Sequence, residues 1–282
     1  MSQRPNYSPR QEHSNTLNKE RSCQDTTVNK SSNRITRHIM DDDDNLQLPA
    51  DTLAALAEFH AERDAKAKEF EELKTKAEDN FANGSDKLTM DLFGEDWNAS
   101  QFWYNDHTAD VLARQLLQGA TNSSAIAVVS APSVYVALRN IIAKDEEAPR
   151  PQLCLLEYDR RFEVVGSDFE FYDFQHPLRI SPALKGKFDR IICDPPFLSA
   201  DCQTKTALTA RYLAKNWSDD ESQEALRFIS CTGERMESTI LRLYARIGVK
   251  TTTFEPEHSK GLSNEFRCYA NFECESWKWR GD

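Results

Sequence analysis

Asp194-Pro195-Pro196-Phe197 puts a carboxylate, two imino acids and an aromatic ring in consecutive positions at the end of an apolar run, Phe188–Cys193. Two prolines can continue neither a helix nor a central strand, and each restricts the residue before it. A buried strand therefore stops abruptly and presents a carboxylate, a stiff turn and a ring face. Those groups suit a site that holds a planar or amine-bearing group. The Asp194 carboxylate and the Pro195 carbonyl can accept N–H hydrogen bonds, Pro196 fixes the turn, and the Phe197 ring can pack on methylenes or face a cation. Three other places carry candidate polar groups: the turn Ser130-Ala131-Pro132-Ser133, Glu157 and Asp173.

These groups need a scaffold that brings them together. Strand patterns run over Ala125–Val129, Leu153–Leu156, Phe169–Tyr172, Phe188–Cys193 and Leu226–Cys231, with Thr232-Gly233 read as the turn after the last. Helical patterns fall at Asp106–Gln118, Val134–Ala143, Thr204–Leu213 and Met236–Arg246. Val249–Phe254 and Phe266–Phe272 close the chain as a strand pair with a polar loop and no helix between them. Alternating strands and helices predict an α/β fold with a parallel, doubly wound sheet. The final pair reads as a hairpin that adds an antiparallel strand. Seven strands with that ending resemble the Rossmann-like sheet of class I methyltransferases.

In such a sheet the strands' carboxyl ends converge on one crevice. Ser130–Ser133, Glu157, Asp173 and Asp194–Phe197 then share a nucleotide-like cofactor site. A tight turn before a helix allows close backbone approach, an acid after the second strand can accept from a ribose, and an acid after the third can accept from an adenine amino group. The turn after the first strand carries no glycine, so it must be shaped differently from a Gly-x-Gly loop. Trp97-Asn98-Ala99-Ser100-Gln101-Phe102-Trp103-Tyr104 packs four aromatics into eight residues. These rings either wedge the N-terminal region onto the sheet or line a pocket, with Phe102, Trp103 and Tyr104 as candidate substrate contacts.

Together, Ser100–Tyr104, Leu155–Asp159 with Arg161-Phe162 behind it, Phe171-Tyr172-Asp173 and Asp189–Leu198 resemble the eukaryotic translation elongation factor 1-alpha lysine methyltransferase family. That family was once labelled an N6-adenine DNA methyltransferase because of the same tetrapeptide. The resemblance covers roughly residues 45–280. It implies S-adenosylmethionine as cofactor, elongation factor 1-alpha as protein substrate, and Asp194–Phe197 as the place where a lysine amine meets the transferred methyl. The amine must lose its proton before attack. His107 or water could take it, although His107 also reads as an ordinary helix-start residue.

Composition bounds the alternatives. The 282 residues carry a formal charge of −11. Residues 1–39 hold seven Lys/Arg against three Asp/Glu, +4, so the remainder carries −15. A domain that acidic is a poor general binder of phosphate backbones and suits a basic protein partner better. This disfavours the competing reading, N6-adenine methylation of DNA or RNA with Phe197 stacked on a flipped base. A non-catalytic scaffold with a methyltransferase fold is the alternative of another class. Seven cysteines with no Cys-x-x-Cys pair argue for reduced thiols and no zinc site. No signal peptide or membrane span is legible. The expectation is a soluble cytoplasmic monomer. Residues 1–50 read as a disordered segment, polar and then acidic, with 1–39 as an extension or the product of a wrongly chosen start. Residues 51–95 read as an N-terminal helix, from Asp51 to about Phe81, plus a linker, and 96–282 as the methyltransferase domain.

Overall fold

The computed structural model describes residues 101–218, 226–261 and 265–281, with 52–54, 57, 58, 60, 61, 68, 89, 90 and 93–95. The chain divides into two units, 1–53 and 54–282, and all the elements named below belong to the second. The segment expected to be disordered lies outside the described residues. Most of the expected helix 51–81 does too; its few described residues are helical and exposed.

Seven strands form one sheet: β1 (Ala125–Val129), β2 (Gln152–Glu157), β3 (Phe169–Phe171), β4 (Arg190–Cys193), β5 (Arg227–Gly233), β6 (Lys250–Thr251) and β7 (Phe266–Ala270). Their order is β3-β2-β1-β4-β5-β7-β6. The first five strands pair in parallel, and β7 runs antiparallel to both β5 and β6. This is the class I methyltransferase sheet. The strand reversal between β1 and β4 opens the crevice in which such sheets bind ligands.

Helices cover both faces: α1 (Asp106–Leu117), α2 (Pro132–Lys144), α3 (Ala200–Leu213) and α4 (Glu237–Leu243). The unbroken apolar run of β1 is buried throughout because alternate residues serve opposite faces. Ile126 and Val128 pack with Leu112 and Leu116 of α1 and Tyr135 and Leu138 of α2. Ala127 and Val129 pack with Ala210 and Leu213 of α3 and Ile240 of α4. Local chemistry sets the helix starts. Asn105 Oδ1 accepts from Thr108 N at 2.8 Å, Pro132 opens α2, and Ser199 Oγ accepts from Cys202 N at 3.2 Å.

Several boundaries differ from expectation. Thr232-Gly233 is not a turn, because β5 continues through it against Arg267 and Phe266 of β7. The helix expected from Thr204 begins at Ala200, behind the Ser199 cap. The helix expected over Met236–Arg246 is α4 flanked by two 3₁₀ turns, the second ended by Gly248 at φ +72°. The sixth strand keeps only two residues, since beyond it Thr253 N turns to the Lys278 carbonyl at 2.8 Å. Between β2 and β3 lies an unforeseen 3₁₀ segment, Arg160–Asp168, broken at Gly166. No described helix is long and apolar enough to cross a membrane. Six of the seven cysteines are described, all free and buried.

Candidate active site

A cavity of about 370 Å³ opens at the carboxyl ends of β1, β2, β3 and β4. Ser130, Glu157, Asp173 and all four of Asp194–Phe197 line it, so the four strand-end positions do converge. Phe102 and Trp103 add to its wall.

The turn after β1 solves its glycine problem at one residue. Ser130 takes φ +55°, the left-handed region that glycine usually fills, and is the one described non-glycine residue to do so. Its N–H donates to the Leu156 carbonyl at 2.9 Å, tying the turn to β2. Of the four expected contacts in this loop, only Ser130 reaches the cavity. Ala131 and Ser133 are buried behind it, Pro132 starts α2, and Ser133 Oγ accepts from Tyr104 N at 3.2 Å.

Glu157 is the last residue of β2 and is 6% exposed. Its Oε1 accepts from Tyr158 N at 2.9 Å and Asp159 N at 3.1 Å. Among the described residues no group donates to Oε2, which leaves that oxygen for a ligand. Burial pushes the Glu157 carboxyl up to about 7, against the pull of those two N–H groups. Asp173 is engaged differently. Its Oδ1 accepts from Gln175 N at 2.8 Å, an Asx turn, and its Oδ2 pairs with His176 Nδ1 at 2.8 Å. Its carboxyl sits below the usual range: partial burial acts upward, and the His176 and Gln175 contacts outweigh it.

Asp194-Pro195-Pro196-Phe197 is held from three sides. Asp194 N donates to the Val129 carbonyl at 3.0 Å. Gln203 Nε2 donates to the Phe197 carbonyl at 3.2 Å and to Thr232 Oγ1 at 3.0 Å. Arg235 donates to the next carbonyl, that of Leu198, at 3.0 Å. Burial pushes the Asp194 carboxyl up to about 8; the Tyr104 hydroxyl pulls it down and the charge of Glu157 pushes it further up. Phe197 is 41% exposed and its ring lies 5.4 Å from that of Phe174, at the rim.

The aromatic stretch acts as a strap across this end of the sheet. Arg161 and Asp159 grip the Gln101 side chain at 3.1 and 3.0 Å, and Arg161 also donates to the Gly94 carbonyl at 3.0 Å. The Trp103 indole N–H donates to the Phe93 carbonyl at 2.7 Å, so its ring is anchored in the core against Phe162. The strap's backbone pairs with the loop 257–259, through Asn105 N to the Glu257 carbonyl and Ser259 N to the Trp103 carbonyl. Tyr104 is brought close but does not line the cavity. Its ring is buried behind the wall, with its hydroxyl beside Asp194 and Cys231.

Sequence reading missed His258 and Phe266, which line the cavity from the closing strand pair. Their rings lie 4.6 Å apart, and the His258 ring is 5.0 Å from that of Tyr104. Burial pulls the His258 imidazole down to about 4, so it is neutral at neutral pH. Nothing local in the sequence marks it. Tyr158 and Phe174, also missed, directly follow Glu157 and Asp173, and that adjacency was the available signal. His107 stands exposed on the first turn of α1, off this cavity. Among the described residues no group of His, Cys, Asp or Glu could hold a metal ion.

The arrangement offers carboxylates at two depths, a neutral imidazole and apolar walls. A cationic or amine-bearing guest fits it. The family model described as "Probable N6-adenine methyltransferase" matches residues 95–274. The chain is 47% identical over 236 residues to "Protein-lysine N-methyltransferase EFM5" of Saccharomyces cerevisiae, covering 82% of this chain and 94% of that one. It is 41% identical to "EEF1A lysine methyltransferase 1" of Gallus gallus, covering 82% and 96%, and 36% identical to the protein of that name in Homo sapiens, covering 83% and 95%. With the sheet order, the Asp194–Phe197 turn and nearly full-length similarity in agreement, the chain belongs to the protein-lysine methyltransferase family that these relatives represent.

Proposed function

We propose that this chain is an S-adenosylmethionine-dependent protein-lysine N-methyltransferase whose substrate is translation elongation factor 1-alpha. The carrying observation is the convergence of Ser130, Glu157, Asp173 and Asp194–Phe197 on one aromatic-walled cavity. The relatives' names supply the substrate class.

The residues fit the cofactor. Ser130 presents backbone in a left-handed turn, Glu157 has a free carboxylate oxygen for ribose hydroxyls, and Asp173 lies beside Phe174 and Gln175 where an adenine ring would be received. S-adenosylmethionine supplies a methyl group already activated on a sulfonium. The protein's task is then alignment. Asp194 and the Pro195 carbonyl hold the lysine ε-amine by its hydrogens and leave its lone pair facing the methyl. Phe197 and Phe174 flank the lysine methylenes at the rim. The apolar walls exclude water, which lowers a lysine's pKa from its ordinary 10.4 or so and favours the reactive neutral amine. His258, neutral at working pH, can accept a hydrogen bond there without adding charge. Residues 96–282 carry this activity in the proposal, and a translation-factor substrate puts it in the cytoplasm.

Incubation with labelled S-adenosylmethionine and either elongation factor 1-alpha or adenine-containing DNA tests the reading. Label is expected on the protein alone, and Asp194→Ala is expected to abolish it with the fold intact. Label on DNA only, or undiminished transfer by the variant, would overturn the proposal.

A further inference from the structure

The hydroxyl of Tyr104 is fully buried and, among the described residues, makes no hydrogen bond of proper geometry. Leaving a buried hydroxyl unpaired costs about 1–3 kcal/mol, so its position calls for a physical reason. Its neighbours are the Asp194 carboxyl and the Cys231 thiol. Of these, the carboxylate is much the stronger acceptor.

We infer that Tyr104 is a positioning residue for Asp194: its hydroxyl donates to the carboxylate from behind the cavity wall and fixes which oxygen faces the guest. This rests on the reading that Asp194 holds the amine.

The tyrosine is well placed for the task because its backbone is clamped on two sides. Its N–H donates to Ser133 Oγ at 3.2 Å, at the start of α2, and its backbone bridges that of His258. Its ring lies 5.0 Å from the His258 imidazole. These contacts hold the ring against the wall, with its hydroxyl beside the Asp194 carboxyl. The need is also clear. Asp194 sits in an apolar cavity near the Glu157 carboxyl, and both burial and that neighbour favour its neutral form. An O–H donor opposes them without adding charge. Cys231 lacks this capacity, since burial pushes its thiol well above its ordinary value and leaves it a weak donor. The arrangement makes Tyr104 part of the strap by structure and part of the Asp194 site by function, though its ring never reaches the cavity.

The test is a cycle of Tyr104→Phe, Asp194→Asn and the double variant, in the full chain. The unfolding midpoint is followed against pH, beside methyl transfer to elongation factor 1-alpha. Tyr104→Phe is expected to move the acid limb of the pH–rate profile up by about one pH unit, a loss of about tenfold on that limb, with recovery at alkaline pH. It is expected to shift the midpoint–pH curve in the same direction when Asp194 is present and to leave its shape unchanged in the Asp194→Asn background. A loss uniform in pH, no loss at all, or the same curve shift without Asp194 would overturn the inference. Retained transfer by Asp194→Asn would instead sink the underlying reading of Asp194.

Discussion

Gln203 reaches back from α3 and donates its amide to the Phe197 carbonyl at 3.2 Å, so the Asp194–Phe197 turn is fastened to the helix that follows it. The same nitrogen donates to Thr232 of β5 at 3.0 Å, and Gln203 is wholly buried. Gln203→Leu keeps the volume but strands both acceptors. It is expected to cost about 1–3 kcal/mol of stability and to lower kcat more than it raises KM, because the turn loses its alignment rather than its contacts. Denaturant unfolding and steady-state kinetics check both, and an unchanged kcat would contradict this role.

The two raised carboxyls predict how stability responds to pH. Burial moves Asp194 from an ordinary value of 3.8 to about 8 and Glu157 from 4.5 to about 7. A carboxyl raised in the folded state binds its proton more tightly there than in the unfolded chain. Its contribution is therefore complete below the unfolded value and is lost as pH rises through the folded one. The free protein is expected to lose stability between about pH 4 and pH 8. Asp194→Asn removes the larger part, so its unfolding midpoint should fall less with rising pH and exceed the parent's at alkaline pH. Parallel curves for the two proteins would refute the assignment.

Glu157 is expected to anchor the cofactor. Glu157→Gln keeps an oxygen for Tyr158 N and Asp159 N but removes the charge that strengthens a bond from a hydroxyl donor. A charge-assisted hydrogen bond is worth about 1.5–3 kcal/mol, so the Kd for S-adenosylmethionine should rise roughly ten- to hundredfold. Calorimetric titration measures it, and a change of less than about twofold would exclude Glu157 as an anchor.

Ser130 predicts a rare tolerance for glycine. A left-handed residue with a Cβ is strained by about 1–2 kcal/mol, while glycine costs about 0.5–1 kcal/mol in chain entropy. At φ +55° the two nearly cancel. Ser130→Gly should leave the unfolding midpoint level or raise it, whereas the β-branched Ser130→Val should lower it. A clear loss with glycine would show that the Ser130 side chain has an unseen role.

How much was legible depended on whether a residue's partners were near in sequence. The first five strands, α1 and α2 were readable because apolar runs and caps are local. Glu157, Asp173 and Asp194–Phe197 were readable as a set because strand ends in such a sheet must meet. Thr232-Gly233 was misread as a turn because only its pairing with Arg267 and Phe266 keeps it extended. Tyr104 could be read as aromatic and close to the site, but which side of the wall it occupies depends on its clamp to Ser133 and His258.

The sequence by itself determined which groups meet at the strand ends: residue type and strand-end position are local properties, and Asp194–Phe197 after an apolar strand sets a carboxylate, a stiff turn and a ring in one place. Only the tertiary structure decided the electrical state of that site. Burial is a long-range property: the cavity that encloses these groups is walled by strand ends, by Gln101–Trp103 and by His258 and Phe266, residues far apart in the chain. That enclosure pushes the Asp194 and Glu157 carboxyls up to about 8 and about 7 and leaves the His258 imidazole, on the same cavity, neutral.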